Sequence, residues 1–227
     1  EEATNTRAKQ SVTEIKRRIE LTDEYSDDYF VKPYRAPLTK RPNFMQKEKT
    51  LTAAEIGTAM HTVMQHLPLD RRLTADEITV EVDRLVAKEF LTATEAAAIE
   101  LEAIENFYQT PLAELMMESR DIHREVPFSL MLDAAEIYPE FPEDSDEKVL
   151  VQGVIDCIIP QADGWIILDY KTDTINEPIS EHLEEKLRKR YEVQLALYRT
   201  AVEEIWKQPV KATYLYFFDK QLFIQVP

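Results

Sequence analysis

Residues 149–172, VLVQGVIDCIIPQADGWIILDYKT, decide the fold. Two apolar runs flank the tetrad Gln161-Ala162-Asp163-Gly164, whose composition predicts a turn, so the stretch reads as a β-hairpin. Each run carries an acid that its pattern does not need: Asp156 in the first, Asp169 at the end of the second. An unpaired charge inside an apolar run is costly, so both acids require a reason. Side chains alternate along a strand, which puts Asp169 and Lys171 on one side. Two carboxylates and an ammonium converging at a hairpin's end are the minimum for a divalent-metal site with a charged helper.

Outward from the hairpin, residues 122–132 (IHREVPFSLML) predict a strand. Its Glu125 is either a metal-facing carboxylate or half of an edge-strand salt bridge. Residues 133–147 are acidic, contain prolines and read as a solvated loop. On the other side, residues 179–190 predict a charged helix and 191–206 a second one. Gln194 and Tyr198 lie four apart, hence on one helical face. They are either ordinary surface and core residues or a polar pair aimed at the site. Residues 210–218 and 222–226 predict two strands around an Asp219-Lys220 turn.

Upstream, Thr52-x-x-Glu55, Thr74-x-x-Glu77 and Thr92-x-x-Glu95 are capping boxes that open three helices, and Pro111 starts a fourth. The first presents Ile56, Met60, Val63, Met64 and Leu67 as a core face, with His61 beside it. A lone histidine there is more often structural than functional. Its G-x-x-x-H spacing from Gly57, ahead of two carboxylates, makes it a candidate ligand, because imidazole mixes well with carboxylates. Gly57 would admit a close approach by another chain segment. The remaining helices read as scaffold. The element order describes an α/β fold with a mixed sheet flanked by helices.

The chain of 227 residues carries a net charge of −16. Residues 1–50 are balanced at +2, with 11 basic and 9 acidic residues, so the rest carries −18. Nucleic-acid binders are usually basic, because phosphate contacts dominate affinity. Alone, this chain is expected to bind DNA weakly, with the strand delivered by another domain or subunit. Within residues 1–50, Ser11-x-x-Glu14 resembles a capping box for a short basic helix. The proline-spaced basic strip 32–42 reads as a tether, or, with Tyr34 and Phe44, as a DNA contact. The expected division is a leader over 1–50 and one domain over 51–227. A single cysteine, Cys157, excludes an internal disulfide framework and a four-cysteine iron–sulfur cluster, and agrees with a reducing, cytoplasmic compartment. No window has the apolar length of a membrane helix, and no Walker A motif is present. A start at Glu1 rather than Met fits a piece of a longer protein.

Together these motifs resemble the RecB-like form of the PD-(D/E)xK nucleases. Gly153-x-x-Asp156 and Asp169-Tyr170-Lys171-Thr172 match its core, Gln194-x-x-x-Tyr198 its Q-x-x-x-Y helix, His61 its upstream histidine and Glu125 its first core strand. Within the family the chain is most similar to the C-terminal nuclease domains of AddA-type helicase-nucleases. The resemblance implies a restriction-endonuclease-like αβββαβ core behind an added N-terminal helical block. It implies a metal-dependent exodeoxyribonuclease that cuts unwound single-stranded DNA while resecting double-strand-break ends for recombinational repair. The implied partners are helicase domains outside this chain and an AddB-like subunit, with no membrane. Asp156, Asp169, Lys171, Glu125, Gln194 and Tyr198 are the implied catalytic set. His61, Asp156, Asp169 and the main-chain carbonyl of Tyr170 are the implied ligands of Mg²⁺, with Mn²⁺ also admitted. Two other readings stay open: a catalytically silent DNA- or partner-binding module, and a stand-alone exonuclease.

Overall fold

A computed structural model describes residues 8–22, 51–119, 121–138, 141–142 and 144–227. The basic strip 32–42 and Phe44 lie outside the described residues. The first described elements are a strand, β1 (Lys9–Ser11), and a helix, α1 (Val12–Thr22). Ser11 and Glu14 close the expected capping box, with Ser11 N donating to Glu14 Oε2 at 2.9 Å. Helices α2 (Ala53–His66), α3 (Ala75–Ala87) and α4 (Ala93–Ala97) each begin at the predicted Thr/Glu box, with both reciprocal bonds made. Helices α5 (Leu101–Phe107) and α6 (Pro111–Glu118) complete the helical block. Strand β2 (His123–Asp133), a turn of helix α7 (Ala134–Ile137), and strands β3 (Lys148–Ile159) and β4 (Trp165–Lys171) follow. Helix α8 (Glu181–Trp206) and strands β5 (Val210–Phe217) and β6 (Leu222–Val226) end the chain.

All six strands form one mixed sheet. β3 is its axis. β2 runs antiparallel along one edge of β3 from Lys148 to Ile158. The other edge is shared: β1 pairs parallel at Leu150–Gln152, and β4 pairs antiparallel at Cys157–Ile159. β5 joins β4 in parallel and β6 closes the sheet. Alternation along β4 and β5 feeds two cores. Leu168, Tyr170, Tyr216 and Phe218 pack against helices α2–α6. Ile167, Leu215 and Phe217 pack against α1 and α8.

Three expectations change. Residues 9–22 are not a separate leader, because β1 extends the sheet and Val12 and Ile15 are buried in the α8-side core. Three residues are too few to carry a readable strand pattern. The loop expected over 133–147 contains α7, whose Ala134 and Ile137 are buried with Tyr138, and the Tyr138 hydroxyl accepts from Gln10 Nε2 at 3.0 Å. The two helices expected over 179–206 are one. No Gly or Pro interrupts the run, and Leu183, Leu187, Tyr191, Leu195, Tyr198 and Val202 carry one buried stripe through it.

Candidate metal centre

The site forms where the sheet forks. On β3, residues 153–156 lie between the segment paired with β1 and the segment paired with β4. The β3–β4 ladder ends at Cys157 with Leu168, and the next step of that register sets Asp156 against Asp169. The spacing between the two acids is therefore the geometry of the hairpin. Tyr170 N donates to Asp156 Oδ2 at 2.7 Å, so the side chain continues the ladder where backbone pairing stops. In a strand the N–H and C=O of one residue point to the same edge, so the Tyr170 carbonyl also faces the fork.

A break in alternation on β2 and β3 coincides with the site. Val126, Phe128, Leu130 and Leu132 join the α8-side core, as do Ile155, Val151 and Val149, the partners of Val126, Leu130 and Leu132. Arg124 should share their face, yet it reaches the other side and donates to the carbonyls of Met64 at 3.1 Å and Leu67 at 2.6 Å. Its partner Cys157 packs there too. The cause is Glu125, with φ of 51°. It is the one non-glycine residue inside a described strand in the left-handed region, at a strain of about 1–3 kcal/mol. The turn brings its carboxylate beside Asp156.

α2 supplies the histidine. His61 Nδ1 lies 3.4 Å from Asp156 Oδ1 and 3.6 Å from Glu125 Oε1. The three residues offer ligand atoms that all lie within 4.8 Å of one another. Burial opposes a charge on His61, but its bonds to Asp156 and Glu125 outweigh that and raise its pKa to about 10. A cation is therefore favoured among these carboxylates, and the cluster could hold a metal ion. Gly57 explains how α2 comes so close: a Cβ there would stand 2.8 Å from Thr172 Oγ1, next to Lys171. His66 bonds the Thr62 carbonyl within its own helix and is not part of the cluster.

Asp169, 2% exposed, faces the other way along β4, toward α8. Burial raises its pKa, and the neighbouring Lys171 ammonium works against that rise. Lys171 Nζ is 2.5 Å from Asp169 Oδ2 and 3.1 Å from Gln194 Oε1. Gln194 Nε2 donates to Asp169 Oδ1 and to the Tyr198 hydroxyl, both at 2.9 Å. The helical pair is thus a bracket for the acid and the lysine, not a surface residue beside a core one. Burial keeps the Tyr198 phenol neutral. Its ring meets Phe128 edge-on at 5.8 Å, and Phe128 lies across Gly153, where a Cβ would come within 2.7 Å of the ring. His61, Glu125 and Asp156 thus form one cluster, and Asp169, Lys171, Gln194 and Tyr198 form a second group on the α8 side. Asp169 Oδ2 is buried against the Lys171 ammonium. Sequence reading missed Tyr191, over whose ring Lys171 Nζ lies 4.2 Å from the centroid. Its only signal was an aromatic residue three positions before Gln194.

Comparison with known proteins places the chain in a family. Residues 30–225 match the PD-(D/E)XK nuclease superfamily. The chain is 52% identical over its whole length to the AddA-type ATP-dependent helicase/nuclease subunit of Oceanobacillus iheyensis. It is 49% identical over 96% of its length to that of Bacillus licheniformis, and 45% identical over its whole length to that of Bacillus thuringiensis strain Al Hakam. It spans 18% of the length of each of these relatives. Among solved structures, the crystal structure of SSO0001 aligns over 76% of this chain and 75% of its own, at 12% identity and a TM-score of 0.32. No described helix is long and apolar enough to cross a membrane. The chain belongs to the PD-(D/E)XK nuclease superfamily, as a nuclease domain of the AddA type.

Proposed function

We propose that this chain is a divalent-metal-dependent exodeoxyribonuclease that hydrolyses single-stranded DNA unwound by helicase domains outside it. In that reading it resects double-strand-break ends for recombinational repair, in the cytoplasm and beside an AddB-like subunit. The observation that carries it is the His61–Glu125–Asp156 cluster, with the buried Asp169–Lys171 pair on the adjoining strand. The relatives' designation as ATP-dependent helicase/nuclease subunits supports a partnered, ATP-driven whole. The acidic balance supports delivery of the strand by other domains.

The residues fit a metal ion. Hard carboxylate oxygens suit Mg²⁺, and the imidazole admits Mn²⁺. His61, Asp156 and Asp169 would hold the ion, with Glu125 and the Tyr170 carbonyl as further donors. The fit rests on the donor set: His61, Glu125 and Asp156 offer ligand atoms that all lie within 4.8 Å of one another. When bound, the ion would supply Lewis-acid polarisation of the phosphate and a lower water pKa. Lys171 contributes positive charge and a proton donor where charge develops on the phosphate. Gln194 holds Asp169 and Lys171 in one geometry, and Tyr198 holds Gln194.

The test is digestion of end-labelled single-stranded DNA by this chain, alone and within its full-length protein. Cleavage with Mg²⁺ or Mn²⁺ is expected, with none in EDTA and none from Asp169→Ala. EDTA-resistant cleavage, wild-type rates in Asp169→Ala, or no cleavage from the full-length protein would each overturn the assignment.

A further inference from the structure

We propose that Arg124 is a positioning residue of the metal centre: it fastens α2 to β2 one turn beyond His61 and so sets His61 against Glu125 and Asp156. This rests on the nuclease reading above. Glu125 and Asp156 come from paired strands, whereas His61 comes from a helix. The position of the imidazole therefore depends on how α2 is held against the sheet, which strand pairing alone does not fix. Two contacts flank it. Four residues before His61, Gly57 lets α2 close on Thr172, just past β4. Three residues after it, the Met64 carbonyl accepts from Arg124 Nη1 at 3.1 Å. The Leu67 carbonyl accepts from the same nitrogen at 2.6 Å.

The sequence explains why the helix has carbonyls to give. A continuing helix would pair the Met64 carbonyl with the backbone N–H of residue 68, but residue 68 is proline and has none. The helix stops there, with Leu67 at a ψ of 140°. Its last carbonyls carry the negative end of the helix dipole, which a guanidinium suits. Arg124 reaches them through the left-handed turn at Glu125. Regular alternation would send residues 124 and 125 to opposite faces. Here both side chains lie toward the helical block: one holds α2, and the other faces the histidine that α2 carries. A strained residue persists where its surroundings over-determine it, and the two bonds of Arg124 supply part of that hold. One short segment of β2 thus provides a metal-facing carboxylate and the fastener for the helix that brings the imidazole. An arginine that only capped α2 would contribute stability, without any effect on metal affinity that depended on His61.

The experiment titrates Mn²⁺ into the full chain by calorimetry at one fixed pH, below the melting temperature of each variant. It compares Arg124→Met, His61→Ala and the double variant with wild type. Loss of a group that orients a metal ligand costs about 10–100-fold in affinity. A fall of that size is expected in Arg124→Met. No further fall is expected when Arg124→Met is added to His61→Ala, because the arginine acts through the histidine. Arg124→Lys keeps a charge for the helix end and serves where the Met variant does not fold. Lysine does not reproduce the guanidinium geometry, so affinity should fall several-fold, again only with His61 present. Wild-type affinity in the Arg124 variants, or the same loss with and without His61, overturns the role of Arg124 and leaves the nuclease reading in place. No Mn²⁺ binding by wild type overturns both.

Discussion

The two faces of β4 differ in what they are made for. Toward the helical block, Ile166, Leu168 and Tyr170 enter a core of aromatic contacts, with Phe107 edge-on to Tyr170 at 5.6 Å and to Tyr216 at 5.0 Å. Toward α8, the same strand turns Ile167 into apolar packing and then gives Asp169 and Lys171 to a polar bracket made by Gln194 and Tyr198. One face stores stability. The other holds a buried carboxylate that stability alone would not retain. A strand in register lets adjacent residues belong to these different regimes.

The comparison breaks most sharply by substituting neighbours. Asp169→Asn should cut nuclease turnover by about 10²–10³-fold, the scale of removing one group from a preorganised electrostatic site. Its effect on stability should be the smaller one, because the amide can still accept from Gln194 and relieves the burial of a carboxylate, which offsets part of the lost ion pair with Lys171. Leu168→Ala should do the reverse. It should lose about 2–5 kcal/mol of stability, at roughly 2–4 °C of melting temperature per kcal/mol, with cleavage kept below the transition. Calorimetry and an oligonucleotide assay on both variants check the pair; an Asn variant that melts early and cuts well would collapse the distinction.

His61 gives the next effect in size. In metal-free protein its folded pKa, raised from 6.5 to about 10, means the protonated ring stabilises the fold. That stability is complete below pH 6.5 and is lost as pH rises toward 10. Metal binding needs the neutral ring, so apparent metal affinity should rise by up to about tenfold per pH unit over the same range. Thermal melts in EDTA and calorimetric metal titrations should therefore move in opposite directions with pH. His61→Ala should flatten both trends.

The smallest effect sharpens the boundary between scaffold and site. Gly57→Ala adds a methyl 2.8 Å from Thr172 Oγ1, pushing on the strand end that carries Lys171. Alanine favours the helix by about 1 kcal/mol, so stability should hold while turnover falls several-fold. Thr172→Ala in the same protein removes the obstructing oxygen and should restore the rate. Failure of that rescue would place the role of Gly57 elsewhere.

Legibility followed the same division. The capping boxes at Thr52, Thr74 and Thr92 were readable because each is a local reciprocal bond within four residues. The hairpin was readable because both runs and their turn adjoin in sequence. β1 and α7 were not, since three and four residues carry no periodicity and are held by partners far along the chain, such as Gln10 on Tyr138. Glu125 was nameable only through family resemblance, because nothing in IHREVPF announces a left-handed residue in a strand. Arg124 and the Met64 carbonyl were invisible as a pair, 60 positions apart and joined only by packing of α2 on β2.

The sequence by itself determined the order of the main strands and helices apart from β1, α7 and the unbroken α8, the two acids at hairpin spacing, the Gln194–Tyr198 face and the histidine on α2. These depend on short-range periodicity, which each segment carries alone. The tertiary structure decided that the β3–β4 ladder stops one step before Asp156 and Asp169, that Glu125 turns back to join them, and that α1 closes the far side. Those outcomes depend on which edges of β3 are occupied and by what, a competition among distant segments that no local window contains.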